Sequence, residues 1–340
     1  RAGALADASE RWLDDALYEI RWERVDADGG RDRAPNLAAA LQPASLSRAA
    51  NDAVARLRHD TALDDYDSLL ARLESLCADY VERAFAQLGW HPEPGDLVDA
   101  DALRAELGVL PRHGRLFARL LDIAGESGLL IRDGGQLRVA RTPRPLDDAE
   151  LRERRDTLSR AWGGAPELEM TARAGESLAA ALRGDADPHE LLFPGGSTEN
   201  AERLYRDAAP ARVMNGLLTT AVTAAVNAAS PERPLRILEV GGGTGGTTAH
   251  LAPQLPADRV TYTFTDVGPL FVARARERLA GHTFMRFGVL DLEREPEAQG
   301  FAAGAFDLVI ATNVIHATSA LRATLRRLRR LLAPNGVLAM

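Results

Sequence analysis

The hydrophobic pattern divides this chain into a helical half and a half in which short apolar runs alternate with amphipathic ones. In residues 45–89, apolar side chains recur every three or four positions, which is the spacing of one face of an α-helix. Helical spacing continues within residues 103–124, and residues 129–139 form two short alternating runs around Asp-Gly-Gly, which predicts a β-hairpin. We therefore expect a mainly helical subdomain with one small hairpin over residues 45–190.

The pattern changes after residue 190. A long helical stretch at 210–229 leads into short apolar runs whose length and branching are typical of buried parallel strands. These runs cover residues 235–240, 260–265, 284–290, 306–311 and 336–340. Because strands that alternate with helices predict an open α/β sheet, we expect residues 191–340 to fold as a Rossmann-like core that ends within its fifth strand.

Residues 1–44 fit neither pattern. They hold one isolated alternating run at 17–22, followed by a stretch rich in Gly, Asp, Arg and Pro that has the chemistry of a linker. The chain begins without Met, and it carries neither a signal-peptide pattern nor an apolar run long enough to cross a bilayer. We therefore expect a segment of a longer, cytoplasmic protein that makes no membrane contact.

Composition limits the possible functions. With 340 residues, of which 46% are hydrophobic and 26% charged, the chain has ordinary globular composition. Helices followed by a hairpin resemble a winged helix, but the hairpin lacks a basic cluster and the net charge is −8, so we expect no nucleic-acid binding. The single cysteine, Cys77, cannot form an internal disulfide.

A glycine-rich turn, Gly-Gly-Gly-Thr-Gly-Gly at residues 241–246, follows the first predicted strand and precedes a helix. Glycines let a ligand approach the free amides at a helix start, so this turn is a nucleotide-type cradle. Gly241, Gly243 and Gly246 also satisfy the dinucleotide fingerprint, which alone is weak evidence. Glu239 favours S-adenosylmethionine (SAM) over NAD, because a carboxylate just before the turn can receive an ammonium group and would repel a pyrophosphate.

Polar side chains also follow the next three strands, at the edge where ligands bind in open α/β sheets. Asp266 is placed to accept both ribose hydroxyls of a nucleoside, and Asp291 to accept from an adenine amino group. Thr312 and Asn313 follow the fourth strand, and we take Asn313 as a further candidate cofactor contact. Any one of these residues could instead cap a helix or lie in solvent, but four strand ends together favour a binding site.

His316 lies just past the fourth strand, beside the expected methyl donor. Imidazole is the side chain best suited to accept a proton near neutral pH, so His316 is the candidate base. The helical stretch before the glycine turn is placed to cover the ligand, with Tyr205 and Asn215 as candidate polar contacts. A buried tyrosine with a satisfied hydroxyl and an asparagine on a solvated helix face are equally open interpretations. We expect no metal site.

Together these residues resemble the carbon-methyltransferase domains of modular (type I) polyketide synthases. The similarity rests on L-E-V-G-G-G-T-G-G-T-T at 238–248, F-T-D-V at 264–267, F-G-V-L-D-L-E at 287–293, Q-G-F at 299–301, N-V-I-H-A-T at 313–318 and R-R-L-L-A-P-N-G at 329–336. It extends upstream through L-L-F-P-G-G-S and L-Y-R-D-A-A-P, and it is looser over the helical half. Near the start, L-Y-E-I-R-W is similar to the opening of the structural part of a ketoreductase domain, which an inserted methyltransferase can split.

The resemblance implies a class I SAM-dependent methyltransferase fold, C-terminally incomplete and preceded by a helical lid. It implies methylation of the α-carbon of a β-ketoacyl thioester, with S-adenosylhomocysteine (SAH) as product. The implied partners are neighbouring synthase domains and an acyl carrier protein with a phosphopantetheine-linked β-ketoacyl chain. Carried over by motif, the residues that would hold SAM are Glu239, Gly241, Gly243, Asp266 and Asp291. His316 would be the base that forms the enolate, paired in the family with a glutamate beyond the fifth strand, which this sequence does not reach.

One departure and three alternatives complete these expectations. Gly242 stands where the family usually has alanine, a small change that we expect cofactor binding to tolerate.

The chain could be an inactive methyltransferase-like scaffold within a megasynthase. It could also be a free-standing small-molecule O- or N-methyltransferase, or a winged-helix regulator that senses SAM.

Overall fold

The computed structural model describes residues 40–61, 63–163, 165–192 and 194–340. The strand predicted at residues 17–22 lies outside these described residues. Within them, no helix is both long enough and apolar enough to cross a membrane.

The N-terminal part of the described chain is mainly helical and contains one small antiparallel sheet. Its helices are α1 (Pro43–Asp60), α2 (Tyr66–Gln87), α3 (Ala100–Glu106), α4 (Gly114–Glu126), α5 (Asp148–Ala161), α6 (Pro166–Glu176), α7 (Leu178–Arg183) and α8 (Pro188–Leu192). The predicted hairpin is confirmed as β2 (Leu130–Asp133) and β3 (Gln136–Val139). The pattern missed β1 (Leu97–Val98), which pairs with β3, because two residues are too few to show a period.

Helix α2 is the element around which this helical region packs. Leu69, Leu73 and Tyr80 of α2 belong to a core shared with α5 and α6. Phe85, one turn further on, belongs to a second core shared with α3, α4 and the hairpin. Contact between α2 and α6 is close, since a Cβ at Gly175 would lie 2.3 Å from the Tyr80 ring. The apolar repeat of one long helix thus supplies two small cores.

The C-terminal part is an open α/β fold, as predicted. Strands β4 (Leu235–Glu239), β5 (Val260–Asp266), β6 (Met285–Val289), β7 (Phe306–Ile310) and β8 (Leu332–Ala339) form one parallel sheet in the order β6-β5-β4-β7-β8. The helices around it are α9 (Glu199–Asp207), α10 (Ala209–Ala228), α11 (Gly246–Leu251), α12 (Pro269–Arg278) and α13 (Leu321–Leu331). The chain order reverses between β4 and β7, which is where ligands bind in such sheets.

Both faces of the central strands are buried. Ile237 and Tyr262 lie in a core with residues of α10, α11 and α12. The next residue of β4, Leu238, lies in a second core with Val309 and the apolar face of α13. Because both faces are covered, β4 and β7 read as short, mainly apolar runs, which is why the sequence predicts them well.

Helix α1 packs with the α/β part, although the sequence placed its residues in the helical subdomain. Leu46 packs against the core that contains Ile237. Further along α1, the Leu57 side chain lies so close to α10 that a Cβ at Gly216 would be 2.7 Å from it. Helical periodicity predicts that α1 exists but carries no information about which layer it covers.

The fifth strand begins earlier than predicted. Leu332 already pairs with Phe306 of β7, whereas regular pairing resumes only at Val337 opposite Leu308. The residues between bulge out of register, and Asn335 has a φ of +64° there. The Asn335-Gly336 turn lies within β8, because the residues on both its flanks pair with β7.

Candidate cofactor and active site

The glycine turn lies between β4 and α11 and is tightly enclosed. Gly241 has a φ of +61°, and a Cβ there would lie 2.1 Å from Val314 in the loop after β7. On the other side, a Cβ at Gly246 would lie 2.7 Å from the Tyr205 carbonyl oxygen of α9. Glycine is therefore required at both positions, and the close packing ties the turn to two other segments. At Gly243 a Cβ would make only an ordinary contact, 3.9 Å from the Gly241 carbonyl oxygen, and it is the φ of +52° that favours glycine there.

Glu239, the last residue of β4, is completely buried beneath the turn. Its Oε2 accepts a hydrogen bond from the Tyr262 hydroxyl at 2.8 Å and another from the Thr248 hydroxyl. Its Oε1 is buried and has no hydrogen-bond partner in the described part of the chain. One acceptor beneath the glycine turn is therefore left for a donor, which fits the predicted ammonium group.

The surroundings of Glu239 act on its pKa in opposite directions. Burial raises the pKa of the Glu239 carboxyl to about 7, because the charged form loses its hydration. The hydroxyls of Thr248 and Tyr262 act in the opposite direction, and the negative charge of Asp266 raises the pKa further. Near neutral pH, a nearby positive charge would shift this carboxyl to its ionised form.

Asp266 ends β5 and is also buried, with 7% of its surface exposed. Its Oδ2 accepts from the Gly243 amide at 2.9 Å, and its Oδ1 accepts from the Gly268 amide at 2.7 Å. The carboxylate therefore braces the glycine turn from the neighbouring strand. Each oxygen can accept a second hydrogen bond, so the ribose assignment stays a prediction.

Asp291 organises the loop after β6. Its Oδ1 accepts from the Glu293 amide at 2.8 Å, and its own main chain is held on both sides by the Gln299 amide group, at 2.8 and 2.9 Å. Oδ2 has no partner within the described ranges. The contact with an adenine amino group stays a prediction.

His316 lies on a short turn after β7 and is exposed. Its imidazole makes no hydrogen bond to any described residue. The turn itself is fixed: Val314 packs on Gly241, and the Ser319 amide donates to Glu293 Oε1 at 2.5 Å. An unpartnered imidazole on a fixed loop beside the glycine turn can accept a proton from a bound substrate.

Asn313 has a φ of +52°, which is uncommon for a residue other than glycine. It lies exposed at the point where β7 gives way to this loop. Such backbone conformations concentrate at functional sites, and the contact of Asn313 with the cofactor stays a prediction.

Tyr205 and Asn215 belong to one series of hydrogen bonds across the site. The Asn215 side chain donates to the Tyr205 carbonyl oxygen at 3.0 Å and accepts from the Thr247 hydroxyl at 3.0 Å. The Thr247 and Thr312 hydroxyls are hydrogen-bonded at 3.1 Å. Asn215 is buried and Tyr205 is 47% exposed, so neither alternative interpretation of these two residues describes them. This series of hydrogen bonds instead links α9, α10 and α11 to the residue that follows β7, Thr312.

Arg278 of α12 is a site residue that the sequence analysis missed. It forms an ion pair with Glu202 of α9 at 3.0 Å and donates to the Thr244 carbonyl oxygen of the glycine turn. Together with the Tyr205 contact, this arginine fixes α9 over the turn. The covering element next to the glycine turn is thus α9, which contains Tyr205. It lies outside residues 45–190 but within the helical stretch that was expected to cover the ligand.

In the described ranges, no group of three or more His, Cys, Asp or Glu side chains is arranged to hold a metal ion. A cavity of 690 Å³ lies between α2 and α5, lined by residues such as Arg72, Glu150 and Arg154. None of the predicted site residues lines it.

Comparison with known proteins agrees with this architecture. A family model described as a methyltransferase domain matches residues 238–338. The polyketide synthase ThaG of Burkholderia thailandensis is 34% identical over 96% of this chain, which spans 6% of that synthase. The crystal structure of the CurJ carbon methyltransferase is 35% identical with a TM-score of 0.77, covering 86% of this chain and 78% of that one. The crystal structure of the DszA carbon methyltransferase is 31% identical with a TM-score of 0.75, covering 91% and 78%.

These similarities extend over both the helical part and the α/β part of the chain. The sheet order and the surrounding helices are those of the class I SAM-dependent methyltransferase fold, as predicted. The chain therefore belongs to the carbon-methyltransferase domains of polyketide synthases.

Proposed function

We propose that this chain transfers the methyl group of SAM to the α-carbon of a β-ketoacyl thioester carried by an acyl carrier protein. The observation that carries the proposal is the meeting of three features at the carboxyl edge of the sheet. They are a glycine turn, a buried carboxyl with a free acceptor at Glu239, and the loop that bears His316. Membership of the carbon-methyltransferase family supplies the reaction class.

The charges around the turn fit SAM better than a dinucleotide. Glu239 and Asp266 are two buried carboxyl groups close enough that Asp266 raises the pKa of Glu239. A pyrophosphate beside them would add negative charge, whereas SAM brings a sulfonium and an ammonium group. Asp291 would bind the adenine, with Val267 and Val289, both exposed, as apolar neighbours between Asp266 and Asp291.

His316 would act as the base. A hydrogen between a ketone and a thioester is acidic, so the imidazole takes the proton while the C–H electron pair becomes an enolate. SAM supplies an electrophilic methyl group, to which the enolate carbon forms its new bond as the methyl–sulfur bond breaks. The exposure of His316 leaves it accessible to a chain delivered from outside by a carrier protein. Neighbouring synthase domains would supply that carrier.

The test is a methyl-transfer assay with SAM and a carrier protein loaded with a β-ketoacyl chain. We expect a product that carries one added methyl group, and fragmentation in the mass spectrometer should locate it on the α-carbon. The control omits the carrier and supplies small phenols and amines as acceptors. Transfer to their oxygen or nitrogen, with none to the carrier-bound chain, would instead favour a small-molecule methyltransferase. SAM binding without transfer to any acceptor would favour an inactive scaffold.

A further inference from the structure

The two carboxyl oxygens of Glu239 differ in the number of hydrogen bonds that they accept. Oε2 receives two hydroxyl donors, from Tyr262 and Thr248, while Oε1 receives none in the described part of the chain. Buried carboxyl oxygens in a structural role are normally satisfied, because an unpaired one costs free energy. The asymmetry indicates a carboxylate that is held through one oxygen while the other, also buried, has no donor among the described residues.

We propose that Tyr262 and Thr248 are positioning residues for the cofactor, because they hold Glu239 by Oε2 and so reserve Oε1 for the amino group of SAM. The inference rests on the proposed function, since it assumes that SAM binds above this turn. It adds two residues to which the sequence analysis assigned no role.

The positions of the two hydroxyls suit this role. Tyr262 lies in the middle of β5, and its ring is completely buried in the sheet core. Burial and the neighbouring Glu239 raise the Tyr262 pKa well above its usual value, so the hydroxyl remains a donor at all relevant pH values. Thr248 lies in the first turn of α11. Their bonds to Glu239 therefore join β4, β5 and α11 around the glycine turn.

The charges that face Glu239 make its ionisation sensitive to these hydroxyls. Tyr262 and Asp266, both on β5, are the titratable groups that act on it. No charged side chain of α11 or β7 among the described residues forms a hydrogen bond or ion pair with it. Removing one hydroxyl should therefore raise the Glu239 pKa further, and the ammonium group would have to bind a carboxyl that is protonated more of the time.

The experiment compares three ligands by calorimetry: SAM, SAH and 5′-methylthioadenosine. The last of these keeps the adenosine and the sulfur but lacks the amino-acid end. In Tyr262→Phe and Thr248→Val, we expect SAM and SAH to bind about tenfold more weakly at pH 7, as for loss of one hydrogen bond to a charged group. Affinity for 5′-methylthioadenosine should be unchanged.

Two controls separate a positioning role of these hydroxyls from a general disturbance of the binding site. Thr248→Ser keeps the hydroxyl and should restore the affinity for SAH. Tyr66→Phe removes a hydroxyl that donates to Glu167 at 3.0 Å in the helical part, so it should leave all three affinities unchanged. The deficit of Tyr262→Phe should shrink between pH 6.5 and 8.5, because the higher pH ionises Glu239 without help from the hydroxyl.

The outcomes differ for this inference and for the proposed function. Equal weakening of all three ligands, or unchanged SAH affinity in folded Tyr262→Phe and Thr248→Val, overturns the positioning role alone. A wild-type chain that binds neither SAM nor SAH overturns the proposed function and this inference together.

Discussion

Two buried carboxyl groups at opposite edges of the same sheet have different partners: Asp307 has two arginines, and Glu239 has two hydroxyls. Asp307 at the start of β7 accepts from the Arg236 amide at 3.0 Å and from the guanidinium groups of Arg233 and Arg236, at 2.8 to 3.3 Å. Glu239 at the end of β4 is also completely buried, but it has no basic partner in the described ranges, only two hydroxyls.

The difference separates a structural edge from a binding edge. At the amino edge, two arginines neutralise Asp307, so the chain itself satisfies the charge. At the carboxyl edge, the pKa of Glu239 rises to about 7 because no cation compensates for its burial. We expect a cationic ligand to compensate the charge of Glu239 at the second edge, and the predictions below test this division.

The largest effect is expected at the carboxyl edge, on the reaction itself. His316→Ala should lower the rate of methyl transfer by roughly two to four orders of magnitude, the usual contribution of a general base. SAM affinity and thermal stability should stay unchanged, because His316 is exposed and makes no hydrogen bond to a described residue. Single-turnover transfer to the carrier-bound substrate gives the rate. Loss of SAM binding together with activity would instead assign His316 a structural role.

At the amino edge, the effect should fall on stability. Asp307→Asn should lower the free energy of unfolding by about 3 kcal/mol, because it leaves two arginines without their shared partner. Larger losses are not expected, since both guanidinium groups are partly exposed and can be hydrated. Urea unfolding measures the change. A loss of SAM affinity without a loss of stability would contradict the division between the two edges.

Glu239→Gln should stabilise the free protein in a pH-dependent way. A carboxyl whose pKa is raised from 4.5 to about 7 contributes its stability fully below pH 4.5 and loses it as the pH rises to about 7. Glutamine does not titrate, so its advantage over the wild type should be about 2 to 3 kcal/mol greater at pH 8 than at pH 5. Urea unfolding of both proteins at the two pH values provides the measurement. An equal difference at both would show that Glu239 has an ordinary pKa.

The smallest effect is expected at Asp291. If its free Oδ2 accepts from the adenine amino group, Asp291→Ala should weaken SAH binding by about 1 kcal/mol, the net value of one hydrogen bond. Inosine-containing SAH, which lacks that amino group, should bind the variant and the wild type alike. A similar loss for both ligands would mean that the substitution acts by disturbing the loop held by Gln299.

Strand ends were predictable because position alone defines them. A polar residue that ends or follows an apolar run is expected at the carboxyl edge of a parallel sheet. Glu239, inside the first strand just before the turn, and Asp266, Asp291 and Asn313 could therefore be named from the sequence. The sequence did not predict β1, because two residues are too few to show a period. It did not predict the bulge in β8 either, because the bulge depends on pairing with β7.

The partners of these residues could not be predicted. Tyr262 lies 23 positions from Glu239 and reads as an ordinary core residue of a buried strand. It reaches the carboxylate because β4 and β5 pair in a register that the sequence does not state. Arg278 reads as an ordinary helix residue for the same reason, and Thr248 lies in the quoted glycine motif without any sign that it contacts Glu239. Asn215 was named only as a possible ligand contact, and its buried link to Tyr205 and Thr247 depends on how α9 and α10 fold back.

The most direct test of the cofactor site is a calorimetric titration of SAH into the wild type, Glu239→Gln and Asp307→Asn at pH 8, under conditions where all three are folded. We predict that the wild type and Asp307→Asn bind SAH with the same Kd and that Glu239→Gln binds it at least tenfold more weakly, as for loss of a hydrogen bond to a charged group. A wild type that does not bind SAH, or a Glu239→Gln variant that binds it as tightly as the wild type, would contradict the account.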